Sequence, residues 1–430
     1  MPAPLSDRFH AFRSGDFGKL AVLMATAFID MVGALIIIPL LPFYATDLGA
    51  SAALLGVLVA AFSGAQLLSA PLWGRVSDRY GRRPALLIGL GASAIAYVIF
   101  GFADSVWMLL ISRLVQGAGG GTTGVIQAYV ADSLEPRNRA RGLGWLSAAT
   151  NVGVVLGPLV GSRAAVLGGQ HAPGLVAAGL CILNIIFAAR FLTESHGADA
   201  RKKARASSRS PYRLVWSTAV ETPGTPAARC IWIYTLGIGA FYGVTFILTL
   251  FLQRRFNVDV GSIGYFYAYI GALNVIFRVG LIGAVVDRLG EIRTFRLGAV
   301  ALSLGLIALP FTAHIVTLAL AVALLPLGTA LLFPSVTALL SQVVGDHERG
   351  TYMGVQQFYG GTARTFYPSL AGFAWDHLGV GVPFWASAAA VVATLFVGAG
   401  MERRVAAHRS AAAERAAKEE AAKEQAAVIE

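Results

Sequence analysis

Twelve stretches of this chain are apolar for about 20 residues, the length a helix needs to cross a hydrocarbon layer. They lie at approximately 20–43, 54–73, 85–103, 106–132, 142–167 and 172–192, and again at 230–253, 262–282, 294–312, 315–341, 351–375 and 382–401. The expected fold is an all-α membrane protein, with twelve transmembrane helices in two six-helix bundles. Charged side chains make up 13% of the 430 residues, against about 25% in an average soluble domain. The 49 Gly and 17 Pro suit helices whose neighbours satisfy freed backbone groups. The first run starts near Lys19, is too long for a signal-peptide core and lacks a clear small-residue cleavage site, so it reads as a retained helix.

The basic residues set an orientation. With the N-terminus in the cytoplasm, most of the 34 Lys and Arg fall on cytoplasmic segments; only Arg163, Arg254 and Arg255 fall opposite, and Arg113, Arg278 and Arg364 inside helices. So lopsided a split predicts both termini in the cytoplasm. It also accounts for the net charge of +11 without a nucleic-acid partner. Two cysteines and seven scattered histidines give no disulfide framework and no ligand set, so neither metal nor cofactor is expected. No nucleophile, base and orienting group can be assembled from these spans, which argues against an enzyme.

The two halves repeat. Gly74-Arg75-Val76-Ser77-Asp78-Arg79-Tyr80-Gly81 ends the second run, and Gly283-Ala284-Val285-Val286-Asp287-Arg288-Leu289-Gly290 ends the eighth, 209 residues later. Arg141-Gly142 recurs as Arg349-Gly350. Duplicated six-helix units are a transporter architecture, with the substrate path at the repeat interface. The expected domains are residues 1–192, a cytoplasmic basic linker at 193–229, residues 230–401, and a cytoplasmic tail at 402–430. Within the linker, Pro211 to Val220 fits a short surface helix. The Glu414/Lys418 and Glu419/Lys423 spacings make the tail a candidate solvated helix.

The first loop, continued by Arg82-Arg83-Pro84, is a Gly-bounded turn holding one carboxylate among four arginines. It resembles the signature loop of the major facilitator superfamily, with Val76 and Ser77 in place of Leu and Ala. The resemblance implies a conformational latch built from Gly74, Asp78, Arg79, Gly81 and Arg82 with Asp132 at the end of helix four, holding the outward-facing state. In the second copy Glu291 and Ile292 stand where a basic pair is expected, which weakens a matching C-terminal latch. Helix five carries Gly144, Gly153, Gly157-Pro158 and Gly161-Ser162. Gly153, Gly157 and Gly161 lie four apart on one face, which permits close helix contact. The pattern resembles the antiporter motif of drug/proton antiporters, with Ser162 the departure, and implies export. Arg113-Leu114-Val115-Gln116-Gly117 resembles that family's helix-four motif, whose buried Arg assists proton transfer. The Gly-rich run after it follows no strand and is not a nucleotide loop.

Asp30 lies about ten residues into helix one, on the order of 15 Å along the axis at 1.5 Å per residue. An ionisable residue at such depth is a functional candidate. A carboxyl whose surroundings alternate between two states can load and release a proton; the plainer reading is a structural Asp30–Arg113 ion pair. The Phe28-to-Gly33 and Pro39-to-Pro42 segments resemble helix one of the tetracycline-efflux branch. Candidate cavity groups are Gln66, Gln116, Gln127 and Asn151 in the first half, and Tyr242, Tyr267, Asn274, Gln356, Gln357 and Arg364 in the second. Arg278 is read as lying near the cytoplasmic end of helix eight and snorkelling outward.

Together these features predict a monomeric bacterial inner-membrane exporter that exchanges protons for a small lipophilic compound by alternating access. The alternatives are a proton-coupled metabolite uptake symporter and, from another class, a non-transporting membrane sensor or scaffold. Membrane-buried Asp30 and Arg113 speak against a scaffold, which has no use for them.

Overall fold

The computed structural model describes residues 16–134, 136–192, 194, 222–345 and 348–406. The expected surface helix in the linker and the expected tail helix lie outside these residues. Among those described, the regular structure is helical. α1 is Asp16–Ile37, continued by the short helix Leu41–Asp47. α2 is Ala52–Tyr80, α3 Arg82–Gly101, and α4 comes in two pieces, Val106–Gly119 and Thr122–Ser133. α5 is Pro136–Gly168, α6 Ala172–Phe191 and α7 Pro226–Phe256. α8 begins at Ile263–Ile276, passes through a π-helical turn at Phe277–Leu281, and continues into Ile282–Ala308. That last stretch breaks at Gly290 (φ 74°, ψ 164°), which divides α8 from α9. α10 is Ile315–Val343, α11 Arg349–His377 and α12 Val382–Val397. Twelve spans result, as the apolar runs predict.

Large apolar side chains such as Leu68, Trp107, Leu167, Val279 and Phe396 are exposed, the reverse of a soluble protein's economy and the expected pattern where the solvent is lipid. The first half has its own core, in which Leu23, Leu86, Leu90, Ile126, Tyr129 and Val130 are buried together.

The chain divides into two compact units. One contains Met1–Arg209, Phe241–Val275 and Gly361–Phe384; the other contains Ser210–Ala240, Ile276–Gly360 and Trp385–Glu430. In the first unit, stretches of α7, α8 and α11 therefore pack with the first-half helices. The contact is made of bare backbone. A Cβ on Gly56 of α2 would strike Pro368 O of α11, and one on Gly372 of α11 would strike Ala52 O. A Cβ on Gly264 of α8 would come within 2.6 Å of Pro158 O and Ser162 Oγ of α5.

Polar caps close the same two seams. A helix N-terminus leaves its first N–H groups without intrahelical partners. At the start of α2, Ser51 Oγ accepts from Leu54 N at 3.2 Å. The Asp376 carboxylate of α11 accepts from Ala52 N at 3.2 Å and Ala53 N at 2.7 Å. At the start of α8, Asp259 Oδ1 accepts from Ser262 N at 2.9 Å, and Ser162 Oγ of α5 accepts from Gly264 N at 2.9 Å. Asp259 lies in the loop between α7 and α8, where the Ser262 hydroxyl and nearby amides hold its carboxyl below the usual carboxylate range. Each of the two helices thus receives one local cap and one from a helix of the other sequence half. Ser162, the departure from the glycine motif, is the residue that supplies the hydroxyl.

Replacing Asp376 by Ala should lower stability by about 1 kcal/mol, the usual worth of such a cap. Thermal unfolding in detergent checks this, with Asp376→Asn, which keeps an acceptor oxygen, losing less.

Candidate functional site

The signature loop forms through one glycine and one arginine. Gly81 has φ 114° and ψ 159°, a conformation that favours glycine, and its N–H still closes on Ser77 O at 3.0 Å. The turn throws Arg82 back along α2. Its Nη1 donates to Asp78 Oδ1 at 2.5 Å and Ser77 Oγ at 2.9 Å, and its Nε to Asp132 Oδ2 at 2.9 Å. Asp78, Arg82 and Asp132 are therefore joined as the motif implies. Ser77, where the motif carries Ala, is fully buried and adds an acceptor. Arg79 is exposed and lies over the Tyr80 ring at 5.4 Å. A Cβ on Gly74 would meet nothing within 4 Å. All three members of the triad belong to the first half, so the triad itself shapes the loop.

Glu194 is a part of this loop that sequence reasoning missed. Its two carboxylate oxygens accept from Arg82 N at 2.9 Å and Arg83 N at 3.2 Å, the first two amides of α3. The third position is Pro84, which has no N–H to satisfy. A carboxylate at a helix N-terminus is also favoured by the helix dipole. The signal available was an acidic residue just past α6, without a spacing that pointed to α3.

The second copy repeats the backbone and not the ion pairs. Gly290 again has positive φ. Asp287 makes no ion pair among the described residues, and Glu291 accepts from Gln342 Nε2 at 2.6 Å. The loss of the basic pair has this consequence.

The α5 glycines meet α1. A Cβ would come within 2.9 Å of Phe28 O at Gly153, within 2.6 Å of Leu35 Cβ at Gly157, and within 2.6 Å of Ile36 O at Gly161. Gly144 differs, since a Cβ there would meet nothing within 4 Å. Pro158 lies inside the helix, and its carbonyl faces Gly264.

A cavity of about 310 Å³ sits among α1, α4 and α5. Asp30 and Gln127 line it, as do Ala27, Met31, Ile126, Leu143, Leu146, Ser147 and Thr150. Ser147 and Thr150, three apart on α5, are polar groups that the glycine pattern of that helix masked. Thr122 Oγ1 donates to Asp30 Oδ2 at 3.2 Å. Thr122 opens the second piece of α4, so the helix break sets its position. The break is held from α2. Trp73 Nε1 donates to Ala118 O at 2.6 Å, Gln66 Nε2 to Gly120 O at 3.0 Å and Ser69 Oγ to Gly117 O at 3.2 Å. Gln66, a candidate cavity residue, thus serves the Gly-rich break.

Asp30 and Arg113 are not an ion pair. Arg113 is 3% exposed; its Nη2 donates to Ser112 Oγ at 3.1 Å, its guanidinium lies over the Phe100 ring at 5.3 Å, and its Nε has no partner among the described residues. Gln116, one turn further on, donates to Tyr97 Oη at 2.8 Å. Tyr97 lies within electrostatic reach of both Asp30 and Arg113.

The remaining candidates fall elsewhere. Tyr267 donates to Thr245 O at 2.7 Å and shares a hydrogen bond with Thr249 Oγ1 at 2.8 Å, which makes it a packed residue of the first unit. Arg364 lies over the Tyr242 ring at 5.6 Å. Asn151 and Asn274 are largely buried. Thr337 Oγ1 donates to Gln356 Oε1 at 3.3 Å, and Gln357 Nε2 donates to Tyr234 Oη at 3.3 Å. Arg278 departs from its expected place. It lies in the π-helical turn, twelve residues before Gly290 and so about 18 Å along the axis, and its Nε is buried. Because α8 runs on to Gly290, this is the middle of the helix, too deep for an outward reach.

The family model described as Major Facilitator Superfamily matches residues 23–368 and 279–428. The class C tetracycline resistance protein of Escherichia coli is 30% identical over 338 residues, 78% of this chain and 84% of that protein. The class G tetracycline resistance protein of Vibrio anguillarum is 31% identical over 360 residues, covering 80% and 86%. Multidrug resistance protein 2 of Bacillus subtilis is 26% identical over 365 residues, covering 84% and 90%. Among solved structures, the human organic anion transporter MFSD10 aligns with a TM-score of 0.65 at 24% identity, covering 88% of this chain and 98% of that one. The nucleoside transporter NupG aligns with a TM-score of 0.75 at 15% identity, covering 89% and 99%. These two likenesses speak for the fold.

The glycine geometry separates two members of one motif. Gly157→Ala should cost about 1–3 kcal/mol, the range for overpacking a tight contact, while Gly144→Ala should leave stability unchanged. Thermal unfolding of the two purified variants against the wild type checks both.

Proposed function

Since the chain belongs to the major facilitator superfamily, in the tetracycline-efflux-like branch of its drug:proton antiporters, we propose that this membrane transporter exports a small lipophilic compound from the cytoplasm in exchange for protons. The observation that carries the reading is Asp30, a carboxyl that lines an otherwise amphipathic cavity and has a hydroxyl, not a cation, as its partner. About 310 Å³ falls in the range of small-molecule pockets. The lining offers apolar surface from Ala27, Met31, Ile126, Leu143 and Leu146, and orienting groups from Gln127, Ser147 and Thr150. Tetracycline and multidrug resistance proteins among the relatives support a drug-like substrate.

Proton exchange needs a group that changes charge between states. Arginine does not deprotonate in proteins, so Asp30 takes that part and Arg113 supplies fixed charge, Tyr97 being within electrostatic reach of both. Substrate occupying the cavity displaces the proton, and a proton arriving from the outer side displaces the substrate. The caps on α2 and α8 would be the outer seal in this alternating-access cycle, with both termini in the cytoplasm. The α5 glycine motif favours export over uptake.

Everted membrane vesicles with an acidified lumen should accumulate tetracycline or ethidium through the wild-type protein. Asp30→Asn fixes the carboxyl site neutral and should reduce uphill accumulation at least tenfold, while downhill exchange of labelled substrate continues. Uphill accumulation by Asp30→Asn at the wild-type rate would remove Asp30 from the coupling step.

A further inference from the structure

The second half contains a fixed positive charge that its own helices do not balance. Arg278 lies mid-helix on α8, is largely buried and, among the described residues, has neither a hydrogen bond nor an ion pair; its Nε is sealed from solvent. α7, α8 as far as Val286, α10 and α12 contain no Asp or Glu. A guanidinium cannot shed its charge, and an uncompensated charge away from water is costly enough that such residues are rare unless they serve a substrate or ion. Helix packing does not ask for the cation either. At the repeat offset the first half has Ser69, a small residue whose hydroxyl is satisfied by Gln66 O and Gly117 O, each at 3.2 Å.

The backbone around Arg278 is specialised. Phe277–Leu281 is a π-helical turn. Such turns insert a residue into a helix and recur at functional sites. A Cβ on Gly280 or Gly283 would meet nothing within 4 Å, so this flank of α8 is open. Tyr234 of α7 lies within electrostatic reach of the guanidinium. Its hydroxyl oxygen already accepts from Gln357 Nε2 at 3.3 Å, which leaves its proton free to be donated. Its ring is fixed edge-on against Phe333 at 5.5 Å. A buried guanidinium fork without an acceptor, with a hydroxyl able to donate within electrostatic reach, is an arrangement suited to an oxyanion.

Resting on the exporter reading above, we propose that Arg278, with Tyr234 held by Gln357, binds the anionic group of the transported molecule, so that organic anions are a substrate class of this protein. The anion supplies the counter-charge that α7, α8 as far as Val286, α10 and α12 lack.

Two xanthene dyes of similar size test it: 5-carboxyfluorescein, an anion, and rhodamine 6G, a cation. Binding to the purified full-length protein is measured by fluorescence polarisation, independently of any proton gradient. Wild type should bind carboxyfluorescein. Arg278→Gln should weaken that binding at least tenfold and leave rhodamine 6G binding within twofold. Arg278→Lys, which keeps the charge without the planar fork, should fall between. Tyr234→Phe should weaken carboxyfluorescein binding about threefold, and it decides the matter if Arg278→Gln does not fold. No carboxyfluorescein binding by wild type, or equal loss of both dyes in the variants, overturns the proposal. Selective loss of anion binding upholds it even where vesicle transport proves independent of the proton gradient, a result that would count against the exporter reading alone.

Discussion

In a hydrocarbon solvent a freed backbone N–H or C=O has no water to turn to, and leaving one unpaired costs several kcal/mol. Every interruption of a helix in this protein therefore needs a named partner. The break in α4 has Gln66, Ser69 and Trp73. The start of α3 has Glu194, and the starts of α2 and α8 have Asp376 and Ser162. These interruptions sit where function is read: the break aims Thr122 at Asp30, the α3 start fixes the signature loop, and the two capped ends join helices from both sequence halves. The caps are also the contacts that helices moving apart would give up one at a time.

Much of the fold was legible because lipid imposes a simple rule on sequence. Twelve apolar runs gave twelve spans, and the repeated Gly and Asp marked the two loops. The Asp78–Arg82–Asp132 triad and the α5 glycine face were legible for a similar reason, being local or periodic. What stayed hidden was long-range and polar. Asp376 caps residues more than 300 positions away, and no periodicity announces that. The α4 break was foreshadowed by Gly119-Gly120-Gly121, yet the carbonyls it frees could not be assigned to Gln66 without seeing α2 beside it. The plainer alternative for Asp30 and Arg113, an ion pair, rested on depth alone. In the structure each has its own partners. Arg278 was placed too shallow because the span was ended near residue 282, whereas the helix continues to Gly290.

The two halves share a backbone plan and differ in buried charge. The first holds Asp30 and Arg113; the second holds Arg278 and Arg364, and α7, α10 and α12 carry no carboxylate. Duplication supplied the scaffold, and the charges broke its symmetry. On this account a proton is handled in the first half, while cations in the second meet whatever the transported molecule presents. The weakened second latch belongs to the same asymmetry: Glu291, at the position where the first half has Arg82, bonds to the neutral Gln342, whereas Arg82 joins two carboxylates.

The central claim is that one carboxyl, Asp30, trades a proton for substrate. Proton release measures that trade without a membrane or a gradient. In weakly buffered detergent solution containing a pH indicator, adding tetracycline or ethidium to the wild-type protein should release protons in proportion to the fraction bound. The same addition to Asp30→Asn should release none at equal occupancy. Proton release of wild-type size from Asp30→Asn would contradict the account and move the coupling group to another carboxyl.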